Sequence, residues 1–173
     1  MIKFYKKKKE ILRPTTQKIV ESLINILGES VKDSRILELY AGTARFSLEA
    51  VRRGAVEAVI VEKDREIMEE VRKKTVKLGF QDKIKFIKSN VVSYLCGNND
   101  TGYDIIFMDP PYDSDEYQKA IRLIEEKKKL NNSGQLIVEH YHKVKLPDSI
   151  GFLMKKDVRK YGQTVISFYE RVG

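Results

Sequence analysis

Asp104-Ile105-Ile106-Phe107-Met108-Asp109-Pro110-Pro111-Tyr112 is an apolar run that ends in a carboxylate, two prolines and an aromatic ring. Proline has no N–H to donate to a ladder, so the run predicts a buried strand with an abrupt stop at Asp109. In an open α/β sheet, ligands bind beyond the carboxyl ends of the strands, which places Asp109 to Tyr112 on a crevice. There the Asp109 carboxylate and the Pro110 carbonyl can accept hydrogen bonds from an exocyclic amino group, while Tyr112 stacks on the ring that carries it. Asp-Pro-Pro also suits a turn that merely ends a strand. The rest of the chain has to separate the two.

Working outward, the chain supplies the rest of such a sheet. Upstream, residues 35–40 form a short apolar run followed by the turn Ala41-Gly42-Thr43-Ala44 and a helical pattern through Phe46, Leu48, Ala50 and Val51 to Gly54. Residues 56–61 are a β-branched run ending in Glu62, and a charged helix follows from Asp64 to about Gly79. Residues 83–88 give a third strand leading through Ser89-Asn90 into a brief helix. Downstream, residues 113–115 cap a helix running to Lys129, Asn131 to Gly134 break it, and residues 135–139 are a fifth strand. Residues 151–158 and 163–169 pair as a hairpin around Tyr161-Gly162. Before all of these, Pro14, Thr15 and Thr16 start a helix whose apolar face is Ile19, Val20, Leu23, Ile24, Ile26 and Leu27. Five strands with interposed helices and a helix-free final pair predict an α/β domain. Its sheet is mostly parallel and seven-stranded, with helices on both faces and a C-terminal antiparallel hairpin.

The chain has 173 residues, enough for one core without staples. No apolar run approaches the roughly 20 residues of a membrane span, and no secretory leader pattern opens the chain; a cytoplasmic protein is expected. One cysteine, Cys96, and two histidines, His140 and His142, argue against disulfides and against a metal site. The net charge of +8 favours a polyanionic partner. Its densest cluster is residues 1–13, where Lys3, Lys6, Lys7, Lys8, Lys9 and Arg13 face only Glu10. That reads as a basic arm ahead of a single domain over residues 14–173.

Glu38, Gly42 and Glu62 form a second constellation. A glycine turn after the first strand lets the backbone approach a cofactor, and an acid ending the second strand about 20 residues on can hold ribose hydroxyls. Positions where a dinucleotide fingerprint would place further glycines are Ala44 and Ser47. A pyrophosphate is therefore poorly cradled, which favours a phosphate-free adenosine cofactor, S-adenosylmethionine, over NAD. Asn90 could meet an adenine, though it also suits a helix cap.

Arg13-Pro14-Thr15-Thr16, Glu38-Leu39-Tyr40-Ala41-Gly42-Thr43, Leu48-Glu49-Ala50, Val61-Glu62-Lys63-Asp64, Ser89-Asn90, Asp109-Pro110-Pro111-Tyr112 and Ile137-Val138-Glu139 together resemble the RsmD family. These are class I, Rossmann-like methyltransferases that use S-adenosylmethionine to modify the N2 amino group of a guanine in small-subunit ribosomal RNA. The resemblance spans roughly residues 12 to 171 and implies a donor site of Glu38, Tyr40, Ala41, Gly42, Glu62, Lys63, Asn90, Val91 and Asp109. It implies catalytic roles for Asp109, Pro110, Pro111 and Tyr112, and RNA contacts from Lys6, Lys7, Lys8, Lys9, Arg13 and Thr15. The expected partner is ribosomal RNA, in the small subunit or an assembly intermediate, met by a monomer. Ala44 departs from the glycine common in the family at that position, and the N-terminal basic segment is short. Rival readings are a DNA adenine-N6 methyltransferase, a non-catalytic RNA-binding ribosome-assembly protein and, third, an NAD dehydrogenase.

Smaller features read more simply. Cys96 suits a partly buried small residue, His140 and His142 suit sheet-end packing, and Lys127-Lys128-Lys129 suits a solvated helix end. Lys155, Lys156, Arg159 and Lys160 could extend a phosphate-binding surface.

Overall fold

The computed structural model describes residues 17–111 and 114–172. Tyr112 and the arm with Lys6, Lys7, Lys8, Lys9, Arg13 and Thr15 lie outside them. The strands are β1 Arg35–Leu39, β2 Glu57–Glu62, β3 Ile84–Lys88, β4 Tyr103–Met108, β5 Leu130–Tyr141, β6 Ser149–Ile150, β7 Leu153–Tyr161 and β8 Thr164–Arg171. The helices are α1 Gln17–Leu27, α2 Arg45–Arg52, α3 Arg65–Lys77, α4 Val91–Gly97 and α5 Ser114–Glu126. One sheet holds all eight strands in the order β3-β2-β1-β4-β5-β8-β7-β6. The first five run parallel; β8, β7 and β6 are antiparallel to their neighbours.

Alternation along the strands divides the core in two. Ile36, Ile60, Phe107 and Ile137 pack under α1, α2 and α3, with Phe46 of α2 stacked on Phe107 at 4.6 Å. Leu37, Leu39, Met108 and Val138 face the other way, onto Val91 and Leu95 of α4 and Tyr117 and Ile121 of α5. Both faces of the central strands β1, β2 and β4 are covered, which is why they read as near-continuous apolar runs, whereas β3 at the edge leaves Lys85 and Lys88 exposed.

Three expectations are corrected. The sheet has eight strands, not seven: the extra one, Ser149–Ile150, pairs with Leu153 and Met154 and is too short to show any periodicity. The stretch Asn131 to Gly134 is not a helix-breaking loop but lies within β5, where the register against β4 shifts between Tyr103 and Ile105. Gly134 permits that crowding, since a Cβ there would lie 2.7 Å from the Leu130 side chain and 3.0 Å from the Asp104 carbonyl. Finally, α5 ends at Glu126 rather than at the lysine run. Lys128 takes a positive φ of 50°, and Lys129 turns fully inward, its ammonium donating to the carbonyls of Asn98 and Asp100.

Candidate active site

Leu39, Val61, Met108 and Val138 share one level across four parallel strands. The residues that follow them, Tyr40, Glu62, Asp109 and Glu139, therefore form a row at the carboxyl edge. Alternation puts the acids of this row on the α1–α2 face, together with Glu38 below them. Each acid is visible in the sequence; only the register shows that Glu38, Glu62, Asp109 and Glu139 belong to one place.

The turn after β1 is built around these acids. The Gly42 amide donates to Glu62 Oε2 at 2.8 Å, the Asp64 amide to Glu62 Oε1 at 2.9 Å, and the Ser47 amide near the start of α2 to Glu38 Oε2 at 2.8 Å. Backbone amides that a phosphate would need are thus aimed at carboxylates. Acids with remaining lone pairs suit ribose hydroxyls and cationic groups, so the residues present fit a phosphate-free, positively charged adenosine cofactor and not a dinucleotide. Gly42 has a φ of 51°, and so does buried Ala44, with Tyr40 at 56°. An L-residue in that left-handed region costs roughly 1–2 kcal/mol, so the alanine keeps the glycine-type backbone under strain. Tyr40 is held there by its hydroxyl, which donates to Glu116 of α5 at 2.6 Å.

Crowding acids away from water raises their proton affinity. Glu38, 2% exposed, is pushed up to about 7, chiefly by burial and further by the charge of Glu62, against the restraining hydrogen bonds from Ser47. Asp109 lies well above the usual carboxylate range, first from burial and then from the charges of Glu139 and Glu38.

Pro110 is buried and Pro111 exposed. The Pro110 carbonyl is not the wholly free acceptor that the sequence suggests: the Tyr117 hydroxyl donates to it at 3.1 Å, which leaves one lone pair for a substrate. Tyr117 meets the edge of His140 at 6.4 Å, and His140 Nε2 lies 2.9 Å from Ser167 Oγ. Burial lowers the His140 pKa, keeping the ring neutral. Sequence reasoning does not reach Tyr117, whose partner is a backbone carbonyl.

A family model described as "Conserved hypothetical protein 95" matches residues 2–170. Ribosomal RNA small subunit methyltransferase D of Escherichia coli strain K12 is 30% identical over 162 residues, covering 92% of this chain and 80% of that protein. The chain belongs to the RsmD family. The solved structure of the Escherichia coli protein yhhF superposes with a TM-score of 0.84 at 29% identity, over 92% of this chain and 87% of that one. An RNA methyltransferase from Salinibacter ruber, solved with S-adenosyl-L-homocysteine, shares the fold at a TM-score of 0.69 and 15% identity, over 90% and 92% of the two chains. The fold is that of a class I methyltransferase.

The other positions implied by the RsmD resemblance are spread along the same edge. Ala41 is buried in the turn, and its amide donates to the Val61 carbonyl at 3.2 Å. Lys63 is exposed beside Glu62. Asn90 caps α4, its side-chain oxygen accepting from Val92 at 2.9 Å and Ser93 at 3.4 Å, while Val91 packs into the core. The cap role of Asn90 is thus satisfied locally. Among the described residues no group of three or more side chains is arranged to hold a metal, and no helix is long and apolar enough to cross a membrane.

Three smaller readings change. Cys96 is exposed on α4, not partly buried. His140 packs inside as expected, but His142 stands in solvent beyond the strand. Of the tail cations, Lys155 pairs with Asp148 at 3.0 Å and Arg159 with Asp157 at 2.6 Å.

Proposed function

We propose that this RsmD-family protein transfers a methyl group from S-adenosylmethionine to the exocyclic N2 of a guanine in small-subunit ribosomal RNA. The observation that carries the reading is the acidic row at the carboxyl edge with Asp109-Pro110 at its centre. The names of its relatives supply the class of RNA. When bound, S-adenosylmethionine provides an electrophilic methyl group and a cationic amino-acid end. Glu62 holds the ribose hydroxyls, and Glu38 with the Gly42 turn lines the donor side. A purine amino nitrogen is a poor nucleophile because its lone pair is delocalised into the ring. Asp109 and the remaining lone pair of the Pro110 carbonyl accept its two N–H bonds, pyramidalise the nitrogen and stabilise the positive charge that develops on it. The nitrogen gains its bond to the methyl carbon as the carbon–sulfur bond breaks, leaving a neutral thioether, and then loses one proton. Asp109, whose proton affinity is raised by burial and by Glu139 and Glu38, is placed to take that proton. Tyr112 stacks on the extruded base. The basic arm holds the RNA by its phosphates. The protein works as a monomer, since the edge strand β6 is only two residues long and the length of β7 beyond it carries exposed Lys156, Arg159 and Lys160 against strand pairing.

The test is transfer of labelled methyl from S-adenosylmethionine to small ribosomal subunits, deproteinised ribosomal RNA and DNA, followed by nucleoside analysis. N2-methylguanine in ribosomal RNA is expected; N6-methyladenine in DNA would replace this reading with the DNA one.

A further inference from the structure

β5 does not stop at the acidic row. It runs two residues past Glu139 to Tyr141, which is about 6–7 Å further out along the strand. Alternation places Tyr141 on the same face as Glu139 and Asp109. His142 packs against it, ring centroids 4.2 Å apart at 57°, with Tyr141 half-buried and His142 exposed. The pair is anchored. The His142 amide donates to the Gln163 carbonyl at 3.0 Å in the β7–β8 turn, and the Val144 amide donates to the Tyr141 carbonyl at 2.9 Å. Further along the same loop, Lys155 Nζ donates to the Leu146 carbonyl at 2.8 Å.

Around these rings the charge is positive. Lys143 and Lys145 are exposed on the loop that follows the pair. Lys155 and Arg159 are neutralised by Asp148 and Asp157. Lys143 and Lys145 form no ion pair with a described residue. The neighbouring acidic row repels phosphates, so a nucleic acid whose base enters it has to be held by cations just outside. Two aromatic rings in contact, flanked by unpaired ammonium groups, have the composition of a single-strand platform.

We propose that Tyr141 and His142, with Lys143 and Lys145, form a docking shelf for the single-stranded RNA next to the target nucleotide. A flanking base stacks on the ring pair, and the ammonium groups meet its phosphates. This rests on the RNA reading given above, and deepens it by naming RNA-contacting residues other than those of the basic arm.

The experiment compares wild type, His142→Ala and the double variant Lys143→Ala/Lys145→Ala, with S-adenosylmethionine affinity as the control for folding. The probe is an end-labelled single-stranded fragment of small-subunit ribosomal RNA, titrated at several salt concentrations. Both variants are expected to bind it about tenfold more weakly at unchanged donor affinity. The double variant should flatten the slope of log Kd against log salt by about 1.4, since each single-strand phosphate contact adds about 0.7; His142→Ala should leave the slope as in wild type. RNA affinity and slopes equal to wild type in both variants would overturn the shelf. Weakened RNA binding in the variants, beside a wild type that methylates no RNA, would overturn the proposed reaction and support the shelf.

Discussion

The two ends of the parallel sheet treat charge in opposite ways. At the amino end, Arg35 donates to the carbonyls of Thr101 and Gly102 and to Glu57 and Asp100 at 2.9–3.4 Å, while its own amide donates to Asp104 at 2.8 Å. Buried Lys129 closes the same loop through the Asn98 and Asp100 carbonyls, and the Tyr103 hydroxyl donates to Asp100 at 2.8 Å. Opposite charges there satisfy one another. At the carboxyl end, Glu38, Asp109 and Glu139 crowd together, and burial and mutual repulsion raise the proton affinity of Asp109. A fold that leaves like charges together at one edge, while cancelling charge at the other, has one edge built for stability and one held ready for a cationic ligand.

The contrast between the two ends breaks most sharply at Asp109. Asp109→Ala should reduce methyl transfer by at least about 100-fold while S-adenosylmethionine still binds, measured by labelled transfer and calorimetry. Equal loss of both would remove the assigned role. The same group sets the pH profile of the wild type. Because its proton affinity is raised, transfer should fall on the acid side at a pH well above the usual carboxylate range, as the ionised acceptor is lost.

At the opposite edge, Arg35→Ala should lower stability by about 2–3 kcal/mol, take a partner from Glu57 and Asp100, and leave donor affinity alone. For a domain of this size that is roughly 5–10 °C in Tm by thermal scan. A change in donor affinity as large as the change in stability would erase the distinction between the two ends.

Glu38→Gln should act in the other direction. The folded Glu38 titrates near 7, above an unfolded carboxylate, so the fold favours the protonated form. The native state then binds more protons than the unfolded state between those two values, and wild-type stability declines as pH rises through that window. The amide variant keeps an acceptor for the Ser47 N–H without the charge. It should be more stable than wild type at pH 8 by roughly 1–3 kcal/mol, should lose that part of the pH dependence, and should bind the donor more weakly. Denaturant unfolding at two pH values on either side of 7 measures it.

The smallest effect belongs to Tyr117→Phe. Losing the hydroxyl on the Pro110 carbonyl frees that acceptor but loosens its position, and transfer should drop about five- to tenfold at unchanged donor affinity and near-unchanged Tm. A variant as active as wild type would show that the Asp109-Pro110 turn is fixed by its prolines alone.

Much of the fold is legible in the amino-acid sequence. The strand ending in Asp109 announces itself because proline cannot extend a ladder, and β1 and β2 are clear because strands covered on both faces become continuous apolar runs. The acids at the strand ends can be named one by one. Their assembly into one row cannot, because register is a property of paired strands. Lys129 is misleading for a related reason. Three consecutive lysines have the composition of a solvated helix end, and only the left-handed turn at Lys128 swings the third into carbonyls contributed by a loop about 30 residues earlier. β6 is two residues long and leaves no pattern to read. Tyr117 stays hidden because its partner is a backbone carbonyl, which has no sequence signature.

At the centre of this reading stands a carboxyl edge built for a cationic adenosine donor without phosphates. Calorimetric titration of the full-length protein with S-adenosylmethionine, and separately with NAD, tests that most directly. Saturable binding of S-adenosylmethionine with no measurable binding of NAD is the predicted result; binding of NAD as tight as that of S-adenosylmethionine, or no binding of S-adenosylmethionine at all, would contradict it.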